Sequence, residues 1–176
     1  MLRGRDEVDT LSGGGGNDDI SSGLGADIIT GGGGMDRWST NYGSLGTAVT
    51  LTLLATGTAT VGGSGAQITG IEALSLTTGA GDDGIDSQAF AADDWISAGA
   101  GTDLVALGRG VDSSNGGDDI DTMVMDWSAL TDANAHIIWV DIGGGSGRYA
   151  ASSGDRLDFV NYERFVLTGG AGGDVL

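Results

Sequence analysis

Aspartates recur every nine residues at Asp9, Asp18, Asp27 and Asp36. Each closes a turn, as in Gly13-Gly14-Gly15-Gly16-Asn17-Asp18, and each is followed two positions later by a large apolar residue: Leu11, Ile20, Ile29 and Trp38. Glycine tolerates positive φ and leaves backbone carbonyls open, so such turns offer hard oxygen donors beside a short carboxylate. Calcium takes roughly 6–8 oxygens at about 2.3–2.6 Å, whereas magnesium prefers few protein ligands and keeps its water. One Gly-Asp turn alone would be ordinary turn chemistry, its carboxylate capping a nearby amide. Four in register over residues 4–39 point to a repeated cation site, although Glu7 sits where the opening unit should have its second turn glycine. A second set comprises Asp83, then Asp94, Asp103, Asp112 and Asp121 at the spacing of nine, with Ile96, Val105, Ser114 and Met123 at the apolar position. Its turns are damaged. Ala89-Phe90-Ala91-Ala92 replaces the glycines before Asp94, Asp119 replaces a turn glycine before Asp121, and a two-residue slip at Ser87-Gln88 breaks register.

These residues need an element that brings one turn over another. A nine-residue unit divides into a turn and a short strand in which alternate side chains face opposite ways, so only the apolar residue points inward. Two units make one coil, and each unit stacks on the next but one. The spacing therefore predicts an all-β fold of parallel β-roll blocks, a β-solenoid, with Leu11 over Ile29 and Ile20 over Trp38. The expected carboxylate pairs are Asp9 with Asp27, Asp18 with Asp36, Asp94 with Asp112 and Asp103 with Asp121. Asp83 faces Asp103 if the slip is absorbed as a bulge. A coil with one inward side chain per nine residues has little apolar core, and unscreened carboxylates oppose its closure. Ion binding and folding are expected to be one event.

The bulk composition agrees. Formal net charge is −18, from 25 acidic and 7 basic residues. Every basic residue is Arg, and all acids are Asp except Glu7, Glu72 and Glu163. This charge argues against nucleic acid or an anionic membrane as partner. Glycine numbers 36 without a single proline, marking turns and not collagen. There is no cysteine, so no disulfide or thiolate site exists. No run of about 18 apolar residues is present, so membrane insertion is not expected. Met1-Leu2-Arg3-Gly4 lacks the apolar region of a signal peptide.

The chain divides into a first block (1–39), an intervening β-segment (40–77), a second block (78–124), another β-segment (125–168) and the start of a further repeat (169–176). Ala48-Val49-Thr50-Leu51-Thr52-Leu53 alternates as a half-buried strand should. Residues 121–130 align with 36–45 at a shift of 85, and residues 162–174 with 71–83 at a shift of 91. A long repeat thus overlies the short one, as in a piece of a longer tandem array. Further β-coils with longer loops are expected in the intervening segments, or else a small antiparallel sheet capping each roll.

The G-G-x-G-x-D-x-U-x unit, with U apolar, resembles the RTX (hemolysin-type calcium-binding repeat) family. The resemblance covers 4–39, 78–124 and 169–176. It implies that turn carbonyls complete the calcium shells: Gly14, Gly16, Gly23, Gly25, Gly32 and Gly34, then Gly99, Gly101, Gly108 and Gly110. It implies export by a type I secretion machinery and an extracellular or cell-surface location. The expected role is a module that folds on calcium after secretion and stabilises a larger protein. The alternative is a calcium-dependent adhesin or a carbohydrate-binding module of a secreted enzyme, with a glycan or cell-surface partner. No catalytic constellation is read. His136, the only histidine, lies in an apolar stretch. Asp82-Asp83, Asp93-Asp94 and Asp118-Asp119 could supply two carboxyls for glycoside hydrolysis, but each pair has a member at or near the cation register. Trp38, Tyr42, Trp127 and Trp139 are expected to pack a core before they line a sugar site.

Overall fold

Single apolar residues flanked by polar or glycine residues specify short strands, and the fold is all-β. The computed structural model describes residues 1–130, 138–141, 145–151 and 153–170. No helix occurs among them, and none is long and apolar enough to cross a membrane. Strands are numbered in chain order and form three sheets. The nine-stranded sheet runs β1 (Leu2–Arg3), β3 (Asp19–Ser21), β5 (Arg37–Asn41), β9 (Ala73–Thr77), β11 (Trp95–Ala100), β13 (Val111–Asp118), β17 (Arg156–Val160), β16 (Gly147–Ala150) and β15 (Ile138–Asp141). The five-stranded sheet runs β18 (Arg164–Thr168), β14 (Thr122–Asp126), β12 (Leu104–Leu107), β10 (Gly84–Asp86) and β6 (Thr50–Thr52). The four-stranded sheet runs β2 (Thr10–Gly15), β4 (Ile28–Gly33), β8 (Gln67–Thr69) and β7 (Ala59–Thr60).

Parallel pairing follows the sequence spacing. Leu11 pairs with Ile29 and Ile20 with Trp38, as expected. In the second block Ile96 pairs with Ser114 and Val105 with Met123, again 18 residues apart. The slip at Ser87-Gln88 lengthens one coil, so Leu76 pairs with Ile96 and Ile85 with Val105, 20 residues apart. Strand β9 joins the two registers by burying two leucines: Leu74 faces Trp38 and Leu76 faces Ile96.

The intervening segments enter the same sheets. Between residues 40 and 77, β6 pairs parallel with β10, β8 with β4, and β9 with both β5 and β11. Only β7 runs antiparallel, against β8. After the second block, β17 and β18 pair parallel with β13 and β14, while β15 and β16 add antiparallel strands at the edge. The shift of 85 reappears in local detail. Asn41 and Asp126 each accept an amide two residues on, from Gly43 and Ser128, while Leu45 and Leu130 donate back to Tyr42 and Trp127. The stretch at His136 is partly seen as β15, but His136, the Trp139 side chain and residues 171–176 lie outside the description.

One apolar cluster runs through the stack. In the five-stranded sheet it is a column, Leu51, Ile85, Val105, Met123 and Phe165, each opposite the next. Three polar side chains at core positions are matched. The indole N–H of Trp38 donates to Ser22 Oγ at 3.1 Å and that of Trp127 to the Gly108 carbonyl at 2.9 Å. Ser114, a hydroxyl at a core position, bonds the Tyr162 hydroxyl at 2.6 Å.

Candidate metal centres

Each aspartate of the repeat sits where a turn passes into a strand, and parallel stacking sets it over its counterpart one coil away. The contact is an amide-to-carboxylate bond. Asp27 Oδ1 accepts from the Asp9 N–H at 2.9 Å, Asp36 Oδ1 from Asp18 at 2.8 Å, Asp112 Oδ1 from Asp94 at 2.9 Å and Asp121 Oδ1 from Asp103 at 2.9 Å. Asp103 Oδ1 accepts from the Asp83 N–H at 2.8 Å across the 20-residue coil. All five expected neighbours are thus brought together. Amide capping, the ordinary use of Asp in a turn, operates here between coils.

That bond uses one carboxylate oxygen. The other, Oδ2, is buried without a hydrogen-bond partner in Asp27, Asp36, Asp83, Asp103, Asp112 and Asp121. Burying a polar atom unmatched costs about 1–3 kcal/mol, and more when it is charged. Burial accordingly pushes the Asp94 and Asp103 carboxyls up to about 6 and that of Asp112 up to about 8, against the amide bonds that favour ionisation. Asp83 and Asp121 are raised for the same reason, and Glu163 adds repulsion at Asp121. Asp9, Asp18 and Asp94 differ. Asp94 Oδ2 accepts from Ser87 Oγ at 2.5 Å, and Asp9 Oδ2 accepts from the Arg5 amide of its own turn at 2.7 Å. Asp9 and Asp18 are only half-buried.

Carbonyls face the same space. A Cβ on Gly13 would lie 2.6 Å from Asp18 Oδ2 and 2.7 Å from the Gly31 carbonyl oxygen. A carboxylate oxygen and a carbonyl of the next coil therefore converge on a point that glycine leaves empty. A Cβ on Gly32 would strike the Gly14 carbonyl, and one on Gly34 the Gly16 carbonyl. Of the glycines implied by the resemblance, Gly14, Gly16, Gly23, Gly25, Gly32, Gly34, Gly99, Gly101 and Gly110 have positive φ, and Gly108 does not. Asp119 takes a glycine's place at φ 80°. Orphaned oxygens, stacked carbonyls and a cradle with no side chain fit a hard divalent cation. Among the described residues no three Asp, Glu or His side chains converge, so an ion held here would draw most of its oxygens from the backbone.

The adjacent carboxylates have another task. Asp82 Oδ1 accepts from the Thr102 N–H and Asp93 Oδ1 from the Val111 N–H, both at 2.8 Å, as Asn17 does from Met35. Each Asp-Asp pair at these positions is therefore split: one member points to solvent and caps the next coil, the other is buried. Trp38, Tyr42 and Trp127 are fully buried. Sequence reasoning missed Glu72 and Glu163, whose Oε2 atoms accept from the Asp36 and Asp121 amides, both at 2.9 Å. The signal was present: two of only three glutamates occupy equivalent positions in the long repeat. No protein-family model matches the chain, and no curated protein matches it.

Proposed function

We propose that the chain is a calcium-binding repeat module of RTX type, its two blocks forming parallel β-rolls that close when calcium binds. The observation that carries this reading is the row of buried aspartate oxygens without partners, set against turn carbonyls in the nine-residue register. Without cations, a net charge of −18 opposes compaction, and the orphaned oxygens add a desolvation cost. With them, the energy of ligation becomes energy of folding. The module would stay extended where calcium is scarce and fold where it is abundant. That property suits export through a type I machinery and stabilisation of a larger extracellular protein. It needs no chemistry of its own, and the capping role of Asp82 and Asp93 supports a structural part for the paired acids.

The test is a titration of the metal-depleted chain with calcium, reading far-ultraviolet circular dichroism and bound ion together. The β signal should be absent in chelator, return cooperatively with calcium and not return with equimolar magnesium. A native spectrum that persists in excess chelator overturns the reading.

A further inference from the structure

Within a block, the amides of Asp9, Asp18, Asp83, Asp94 and Asp103 donate to the aspartate one coil later. At two places the chain leaves the nonapeptide pattern and the acceptor is a glutamate: Asp36 donates to Glu72 and Asp121 to Glu163, both at 2.9 Å. Resting on the calcium reading above, we propose that each junction between a block and the following β-segment is closed by a distinct, glutamate-bearing calcium site, Asp36 with Gly70 and Glu72, and Asp121 with Asn161 and Glu163.

Three observations meet at each junction. First, Asp36 and Asp121 are fully buried, and each has an Oδ2 with no hydrogen-bond partner. Second, a carbonyl of the re-entering chain faces that oxygen. A Cβ on Gly31 would strike the Gly70 carbonyl and lie 2.7 Å from Asp36 Oδ2. One on Gly116 would strike the Asn161 carbonyl and lie 2.6 Å from Asp121 Oδ2. This is the constellation found at Gly13, where the oxygens come from Asp18 and Gly31. Third, the acid that follows is set by the length of the corner. Gly31 and Asp36 are five positions apart, whereas Gly70 and Glu72 are two apart, as are Asn161 and Glu163. A short corner cannot carry the backbone of a six-residue turn, and one more methylene restores the reach of the carboxylate. Gly70 and Asn161 share a left-handed backbone, at φ 64° and 58°, so both corners are built alike despite different residues. Capping alone needs only an acceptor, which glutamine provides equally well. A carboxylate beside an orphaned carboxylate oxygen suits a divalent cation.

The experiment compares calcium stoichiometry, by equilibrium dialysis at saturation, in the full chain, in E72Q/E163Q and in E72D/E163D. The glutamine variant keeps the amide cap, so it should retain its circular dichroism in calcium while binding one ion fewer per junction. The aspartate variant keeps the charge but loses the reach and should show the same loss. Unchanged stoichiometry and affinity in the glutamine variant would overturn the inference and leave the calcium reading standing. Should the glutamine variant fail to fold, the aspartate variant decides: a full complement of ions there overturns the inference equally. An unsubstituted chain that binds no calcium defeats both readings at once.

Discussion

The two blocks differ in a way opposite to their sequences. The first has the well-formed turns, yet Asp9 and Asp18 are only half-buried. The second has alanines, a phenylalanine and an aspartate where turn glycines belong, yet Asp94, Asp103, Asp112 and Asp121 are all buried to 5% exposure or less. What buries a repeat carboxylate is a coil stacked on each side of it, not the quality of its own turn. Asp27 and Asp36 in the first block make the same point. They are buried because the chain from residue 67 onward lies over them, with the Gln67 amide on the Asp27 carbonyl and Glu72 on the Asp36 amide. The intervening segments thus complete the first block as well as linking it to the second.

If burial sets the dependence on cation, the inner and outer aspartates should respond differently to loss of charge. Asp103→Asn and Asp112→Asn keep an oxygen for the amide they cap and remove a charge that is desolvated. In saturating calcium each should destabilise the chain by about 1–3 kcal/mol. Asp9→Asn should shift stability by less than about 0.5 kcal/mol. Urea unfolding of the three variants in saturating calcium measures this. An equal response at Asp9 and Asp112 would break the comparison.

The same contrast has a pH signature. Asp94, Asp103 and Asp112 have folded-state values of about 6, 6 and 8, above their ordinary value of 3.8. A carboxyl whose value is raised on folding binds more protons in the folded state, so stability is greatest below the ordinary value and falls as pH rises through the raised one. Without calcium, the balance should therefore shift from the folded toward the unfolded chain between about pH 4 and 8. Calcium affinity should rise over the same window, because the ion competes with those protons. Circular dichroism of resin-depleted protein at several pH values tests the first trend and calcium titrations the second. In Asp112→Asn the upper part of both trends, nearest pH 8, should flatten.

Much of the stack was legible because the period is short and local. Spacing alone paired Leu11 with Ile29 and Val49's segment could be read as a strand, since alternation over a few residues is enough to set a face. The re-entry of residues 40–77 into the sheets was not legible in detail. Pairings such as Trp38 with Leu74 or Ile85 with Leu51 join residues 36 and 34 positions apart with no repeat between them. Strand β9 carries no period of nine, and its two inward leucines have meaning only between the two registers they reconcile. Glu72 was hidden for the same reason: its partner is set by a corner of the fold, not by spacing. Ser114 stands at an apolar position of the unit, and its hydroxyl serves Tyr162, which reaches it from 48 residues away. Ser114→Ala should cost about 1–3 kcal/mol by leaving that buried hydroxyl unmatched, equally at low and at saturating calcium.

The smallest effect concerns the one inner aspartate whose second oxygen is already satisfied. Ser87 lies in the two-residue slip, and its hydroxyl holds Asp94 Oδ2. The slip that lengthens the coil thus also supplies a neutral hydrogen-bond partner for that carboxylate. At the lowest calcium that folds the chain, Ser87→Ala should lower stability by about 1 kcal/mol, because Asp94 then joins the row of unmatched oxygens. In saturating calcium the loss should shrink or reverse, since the freed oxygen becomes available to a cation. The two-condition difference between Ser87→Ala and the unsubstituted chain isolates this term, and Ser114→Ala, indifferent to calcium, is its control. If Ser87→Ala behaves as Ser114→Ala does, the Asp94 site is closed by more than a hydroxyl, and the damaged turn before it has given up ion binding altogether.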